Sequence, residues 1–477
     1  PIIHFYETFL AQYDPKLREL RGVYYTPSPV ISYMVRSVDH LLKDEFGIED
    51  GLADSEMVDY TYTDADGKQQ TERVPRVLIL DPACGTGTFL SSIVEYIRDS
   101  YRASNHSGMW SAYVRESLLP RLFGFELLMA PYAMAHLRLG MQLAGLDLPP
   151  EQRGPWKYKF DSDERLGVYL TNSLSEGLEK IEMLPMASYI SEEANEAASV
   201  KRHSPVMVVI GNPPYSGHSA NKGKWISDLL HGIDSKSEKK TSNYFEFDGQ
   251  PLGERNPKWL NDDYVKFLRF AQWRIEQTGY GVLAFITNHG YLDNPTFRGM
   301  RQSLMQTFDD IYVINLHGGS KKNERSPDGN KDENVFDIQQ GVAIGIFVKR
   351  KNTVSGTKIV HYTDLWGLRE KFQGQGEQQQ LVAGKYYWLS EQYIKTTLWT
   401  ELEPQSPYYL FISQNQDVRA EYEQNQKMTD IMSINVLGFQ THRDHFAVDF
   451  DKDAIENRIN IMRDTNVSDQ IFAENYK

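Results

Sequence analysis

Between residues 76 and about 350, short apolar runs alternate with segments of helical periodicity, and this rhythm constrains the fold more than any other feature. Val77–Leu80, Leu122–Phe125, Val206–Gly211, Gly281–Ile286 and Ile311–Leu316 each read as a buried strand. Helical spacing follows in Phe89, Leu90, Ile93, Val94 and Ile97, in Leu260–Ile275 and in Phe297–Phe308. Strand–helix alternation predicts an α/β fold with a mainly parallel sheet, closed by an antiparallel strand at 342–349. In such sheets ligands bind beyond the carboxyl ends of the strands. Residues just after each run are therefore the candidates for function.

Two of those strand ends carry chemistry. After Val206–Gly211 comes Asn212-Pro213-Pro214-Tyr215. The Asn side-chain oxygen and the Pro213 carbonyl can accept hydrogen bonds from one exocyclic amine. The prolines stiffen the backbone that aims those acceptors, and the Tyr ring can stack on a planar base. Asn-Pro also opens ordinary turns, so the tetrad alone leaves both readings open. After Val77–Leu80 comes Asp81-Pro82-Ala83-Cys84-Gly85-Thr86-Gly87-Thr88. Gly85 and Gly87 allow positive φ and close backbone approach, giving a strand–glycine turn–helix unit suited to a nucleotide-like ligand. The third glycine of the dinucleotide fingerprint is missing. Asp81 would repel phosphate but suits an ammonium or a hydroxyl, as S-adenosylmethionine offers. A generic tight βα turn would also contain Gly-x-Gly.

Taken together and in this order, the two motifs resemble the N6-adenine DNA methyltransferases, in the subclass with a C-terminal target-recognition domain. Gly22-Val23-Tyr24-Tyr25-Thr26-Pro27 upstream and Gly-Asn-Pro-Pro-Tyr-Ser-Gly-His-Ser at 211–219 are most similar to the methyltransferase region of the Type ISP restriction–modification enzymes. The resemblance covers roughly the first three-quarters of the chain strongly. It implies a Rossmann-like S-adenosylmethionine-dependent methyltransferase sheet with helices on both faces, plus a smaller C-terminal α+β region. It also implies transfer of a methyl group from S-adenosylmethionine to a flipped-out adenine of double-stranded DNA.

The resemblance assigns roles to single positions. Asn212, Pro213, Pro214 and Tyr215 are implied as catalytic, with Tyr215 and Phe336 against the base. Thr26 and Pro27 are implied over the methionine end of the cofactor; a plain helix cap is compatible with this. Asp81, Ala83, Gly85 and Gly87 form the cofactor turn. Glu126, ending Leu122–Phe125, is implied on the ribose, as acids serve at the second strand of nucleotide folds; a lone strand-end Glu is otherwise solvated. Asn172 is implied near the cofactor adenine, where the family often has Asp. Phe336 could equally be a core residue anchoring its loop.

The chemistry follows from these roles. A base inside a duplex must swing out, at a cost of a few kcal/mol, and aromatic stacking returns about 1–3 kcal/mol. Direct displacement by a positioned amine needs no covalent enzyme intermediate. Cytosine C5 methylation would need a Cys nucleophile beside the base, and the one Cys, Cys84, lies inside the glycine turn. One Cys also excludes intrachain disulfides and Cys-rich zinc sites. The 12 His show no local metal-ligand spacing, so no structural metal is expected. Net charge is −14, which requires any DNA-binding cleft to be locally basic. No apolar run approaches the ~20 residues of a membrane span, and no signal peptide is visible; a cytoplasmic protein is expected.

Three regions are predicted. Residues 1–75 form an N-terminal helical region with the cofactor-covering segment, a helix over 1–20, another over 27–46, and an insertion at 48–75 with a turn at Asp64–Gly67. Residues 76–355 form the catalytic domain, and 356–477 a linker and partial target-recognition domain. Polar segments 216–258 and 317–334 are read as loops on the cleft side that touch DNA, although a solvated loop would look the same. His442 and Arg443 are further DNA-contact candidates or a surface turn. Gly217–Lys224 has the look of a phosphate loop but the wrong spacing, and Trp225 stands where Ser or Thr is needed. No Walker motif occurs. The termini, Pro1 and Lys477, suggest a piece of a longer polypeptide; the resemblance implies that it also carries covalently linked nuclease and helicase-like domains.

Overall fold

The computed structural model describes residues 26–63, 68–162, 164–176, 193, 195–202, 204–215, 217, 219–234, 242–254, 257–322, 324–352, 358–374, 379–434, 444–464 and 467. The expected helix over 1–20, the Asp64–Gly67 turn and the residues His442 and Arg443 lie outside them.

The described residues build one 9-stranded sheet. Its strands are β1 (Leu78–Asp81), β2 (Leu122–Glu126), β3 (Gly167–Leu170), β4 (Val206–Gly211), β5 (Gly281–Asn288), β6 (Asp310–His317), β7 (Val342–Lys349), β8 (Val360–Asp364) and β9 (Thr400–Leu402). In space they run β3-β2-β1-β4-β5-β7-β6-β8-β9. Strands β3 through β5 are mutually parallel. Strand β7 runs antiparallel between β5 and β6, as the sequence predicts. The order reverses beside β1, so the carboxyl ends of β1 and β4 flank the switch point where open sheets bind ligands.

Helices cover the sheet: α1 (Ser28–Asp44), α2 (Thr88–Ala103), α3 (Met129–Leu143), α4 (Lys224–Leu230), α5 (Asp263–Thr278), α6 (Arg298–Thr307) and α7 (Lys385–Glu391). Helix α1 buries Val30, Ile31, Met34, Val38, Leu41 and Leu42, one apolar face at helical spacing. Helix α5 is buried on all sides from Asp263 to Ile275. Its polar side chains are matched to fixed partners: Arg269 Nε donates to the Leu229 carbonyl at 2.9 Å, and Gln272 Nε2 to Thr307 Oγ1 at 2.7 Å. Such pairing is what allows polar groups inside a core. The 48–75 insertion is the expected hairpin, Met57–Thr63 against Gln69–Pro75.

The predicted boundary at 355 is displaced. Strands β8 and β9 extend the main sheet beyond β6, and the compact unit runs to Ser413. Segment 385–397 is bound to α1: Arg36 Nη2 donates to the Leu389 carbonyl at 2.7 Å, and the Tyr33 hydroxyl lies 2.8 Å from Thr397 Oγ1. The βα rhythm stops near 355 because this region adds strands at the sheet edge without crossover helices. The described residues of the second unit, 414–477, carry helices at Gln416–Glu423, Met428–Ile431, Asp444–Ala447 and Lys452–Arg463 and no strand. The expected α+β character is met instead by 358–413, which carries β8, β9, a hairpin and α7.

A buried ion pair holds this extension. Lys385 Nζ donates to Asp332 Oδ1 at 2.8 Å and to the carbonyls of Leu316 and Glu333 at 2.7 and 2.6 Å, and both charged side chains are fully buried. Breaking a buried pair leaves an uncompensated charge and costs about 3–5 kcal/mol. Lys385→Met is therefore expected to lower the urea unfolding free energy by about that amount; an unchanged midpoint would refute the anchoring role.

Candidate active site

The glycine turn forms as the sequence predicts. Strand β1 ends at Asp81, and Gly87, in the left-handed region at φ 75°, caps α2. The turn is held by two carboxylates. Asp81 Oδ1 accepts the Ala83 N–H at 3.1 Å, and Glu126 Oε2 accepts the Gly85 N–H at 2.9 Å. The N–H groups of Ala83 and Gly85 thus face the protein's own acids. Glu126 Oε1 also accepts the Leu128 N–H at 2.8 Å, placing this strand-end acid inside the turn rather than in solvent.

Burial dominates the electrostatics here. Asp81 is 1% exposed, and desolvation, with a smaller push from Glu126, raises its pKa from 3.8 to about 8. Glu126 is shifted upward for the same leading reason. The Cys84 thiol is buried, and burial beside these acids pushes it well above its ordinary value. It is held as a thiol, which agrees with its exclusion as a nucleophile.

The tetrad follows β4 directly. Asn212 Nδ2 donates to Thr26 Oγ1 at 3.0 Å, across 186 residues of sequence. Asn212 Oδ1 is buried and has no hydrogen-bond partner among the described residues. An oriented amide whose nitrogen is fixed and whose oxygen is left unmatched is set to accept from an incoming donor. Thr26 is buried, and Pro27 caps α1 with its carbonyl accepting the Val30 N–H at 3.0 Å. The structure therefore joins the predicted cofactor-covering segment to the tetrad.

Turn and tetrad touch through Gly211, to which the sequence assigned no role beyond ending the strand. A Cβ on Gly211 would stand 2.6 Å from Asp81 Oδ1, so only glycine lets β4 pass the Asp81 carboxyl. A glycine immediately before Asn-Pro-Pro-Tyr was the available signal.

Asn172 follows β3 on the other side of the turn. Its Nδ2 donates to Asn221 Oδ1 at 3.0 Å, and Asn221 in turn donates to Asp263 Oδ1 at 2.9 Å. Ser173 Oγ donates to the Pro82 carbonyl, locking this segment to the glycine turn. Lys201, which nothing in the sequence singled out, donates to the Asn172 carbonyl at 2.7 Å, and burial lowers its pKa to about 7. The 216–258 segment is anchored where it is described: Gly217 N–H donates to Asp262, and Lys266 Nζ to Ser219 Oγ. Its described residues also include α4.

Tyr215 is 6% exposed and Phe336 4% exposed. Phe336 precedes β7, two strands from β4 at the same sheet edge, and its N–H donates to Asn334 Oδ1 at 2.9 Å. Both rings pack into the core, so neither offers an open face.

Residues 2–149 match the family model for N-6 DNA Methylase. Among curated proteins, none matches the chain. The fold is a Rossmann-like α/β sheet, and solved structures share it across nearly the whole chain. The ATP-dependent Type ISP restriction-modification enzyme LlaBIII bound to DNA superposes with a TM-score of 0.62 at 22% identity, covering 96% of this chain and 27% of that one. The DrdV–DNA complex gives 0.62 at 22% identity, covering 97% and 40%. A nuclease-deletion mutant of the Type ISP enzyme LlaGI with a DNA substrate mimic gives 0.60 at 20% identity, covering 97% and 37%. The chain thus spans between 27% and 40% of the length of these proteins. These structures share the fold of this chain, and the family model matches its first 149 residues only.

Asp81 imposes a measurable pH dependence. Its folded pKa lies above its unfolded value, so the folded chain keeps a proton that the unfolded chain has released. Its contribution to stability is therefore lost as pH rises from about 4 to about 8. Asp81→Asn is expected to flatten the fall in urea midpoint between pH 5 and pH 8; an equally steep fall would assign it to other groups.

Proposed function

We propose that this chain is the methyltransferase region of a restriction–modification protein, transferring a methyl group from S-adenosylmethionine to adenine N6 in double-stranded DNA. The observation that carries the reading is the unmatched, buried Asn212 Oδ1, set one residue beyond the Gly211–Asp81 contact. The family match to residues 2–149 and the fold shared with Type ISP enzymes support it.

The donor set fits S-adenosylmethionine. Asp81 would pair with the ammonium, Glu126 with the ribose hydroxyls, and Asn172 would lie by the adenine, with Ala83, Gly85 and Gly87 shaping the turn and Thr26 and Pro27 covering the methionine end. When bound, the cofactor supplies an activated methyl group. The chain's part is positioning. Asn212 Oδ1 and the Pro213 carbonyl accept the hydrogens of the adenine amine, which directs its lone pair away from the ring, while Pro214 stiffens the backbone. Fixed dipoles aimed at developing charge lower the barrier without a covalent intermediate. Tyr215 and Phe336 would stack on the extruded base, which requires opening the packing around both rings.

The same reading extends to the wider protein. Residues 356–477 would supply the linker and part of the target-recognition domain, and nuclease and helicase-like domains would be covalently linked in a longer polypeptide. A cytoplasmic location is part of the proposal; no helix of the described residues is long and apolar enough to cross a membrane.

Incubation with labelled S-adenosylmethionine and DNA, RNA or protein is expected to place label on adenine amines of DNA. Label only on RNA or protein would assign a different amine or amide acceptor, and DNA binding without transfer would make the chain a non-catalytic module. Asn212→Ala is expected to reduce transfer by about 10²–10³-fold with donor affinity retained; normal transfer would refute its role. Donor affinity should tighten as pH rises from 6 to 8, because the ammonium pairs with ionised Asp81, whose pKa in the free chain is about 8. Calorimetry in buffers of different ionisation enthalpy would detect the released proton. Gly211→Ala should weaken donor binding by displacing the Asp81 carboxyl.

A further inference from the structure

Away from the glycine turn, three further donors converge at the carboxyl edge of the sheet. His289 follows β5, His317 ends β6, and Glu324 lies in the segment after β6. One ligand atom from each falls within 4.8 Å of the others. The three are 28 and 7 residues apart in sequence, so no local spacing could announce them.

Each donor is oriented by its own partner. His289 Nδ1 lies 3.1 Å from Asn315 Oδ1, His317 Nε2 lies 2.7 Å from Asp364 Oδ1, and Glu324 Oε2 accepts the Gly319 N–H at 2.8 Å. Trp366 stacks on the His317 ring, and His317 itself is buried. Imidazoles whose second nitrogen faces a carboxylate or amide oxygen, and a carboxylate whose second oxygen is hydrogen-bonded, are the arrangement that orients metal ligands. Ligation then falls to the other atom of each side chain: His289 Nε2, His317 Nδ1 and Glu324 Oε1.

We propose that His289, His317 and Glu324 bind a divalent first-row transition ion, with Zn²⁺ as the best match, which ties the ends of β5 and β6 to the segment leading into Phe336. Two imidazoles and one carboxylate suit Zn²⁺ and its neighbours rather than Mg²⁺ or Ca²⁺, which take oxygen ligands. With three protein donors the fourth position is left to water. Zn–N and Zn–O bonds of about 2.0–2.2 Å put tetrahedral ligand atoms about 3.4 Å apart, so small side-chain rotations complete the set. His317 Nδ1 and Glu324 Oε1 are 2.8 Å apart, at hydrogen-bond distance; a bound ion would take the place of that hydrogen bond.

The test uses the full chain and no methyl-transfer assay. After chelator treatment and dialysis, the protein is titrated with Zn²⁺ against a chromophoric competitor, and separately with Co²⁺ while the visible spectrum is followed. The expected result is one ion per chain, a tetrahedral Co²⁺ spectrum and a higher melting temperature with Zn²⁺. Glu324→Gln should abolish stoichiometric binding, and Asp364→Asn should weaken it about 10–100-fold. Both variants are compared with the metal-free chain by circular dichroism, so a folding defect is separated from a binding defect. Substoichiometric binding by the native chain, or binding unchanged in a folded Glu324→Gln variant, would overturn the proposal and leave the cluster as a proton-bridged His–carboxylate clamp.

Discussion

The approach of β4 to the Asp81 carboxyl is the constraint on which the site depends. A Cβ on Gly211 would lie 2.6 Å from the Asp81 oxygen, so the two strand ends can sit side by side only because that position is glycine. Asn212 comes one residue later. The glycine turn and the tetrad therefore cannot be repositioned independently: a shift of either strand moves acid and amide together. Close registry of this kind suits a reaction between two bound molecules, where rate comes mainly from holding the partners in place.

The same closeness sets the electrostatics. Asp81, Glu126 and Cys84 are packed into one buried turn, and desolvation leads the upward shift of each. An acid buried without a cationic partner is costly, and here the cost is limited by backbone N–H donors from Ala83, Gly85 and Leu128. A cationic ligand would complete what those donors begin. The acids thus shape the turn and also favour positive charge beside it.

Around this centre, buried polar contacts connect parts of the chain that local sequence keeps apart. Asn172, Asn221 and Asp263 form one hydrogen-bonded line from the end of β3 to α5. Thr26 reaches Asn212, and Lys385 reaches the loop before Phe336. Residues at the two ends of the first unit thereby bear on its middle.

By itself the sequence determined the alternating strands and helices, the antiparallel β7, the glycine turn, the position of the tetrad after β4 and the hairpin at 57–75. These are local: an apolar run, a helical spacing or a glycine states its preference within a few residues. Tertiary structure alone decided that the sheet continues through β8 and β9, since edge strands without crossover helices leave no rhythm to read. It also decided that Thr26 meets Asn212, that Lys201 holds the Asn172 carbonyl, that Tyr215 and Phe336 are packed inward, and that two distant histidines meet a glutamate at the sheet edge. Each of those contacts joins side chains on separate elements, and no pattern along the chain encodes which elements become neighbours in space.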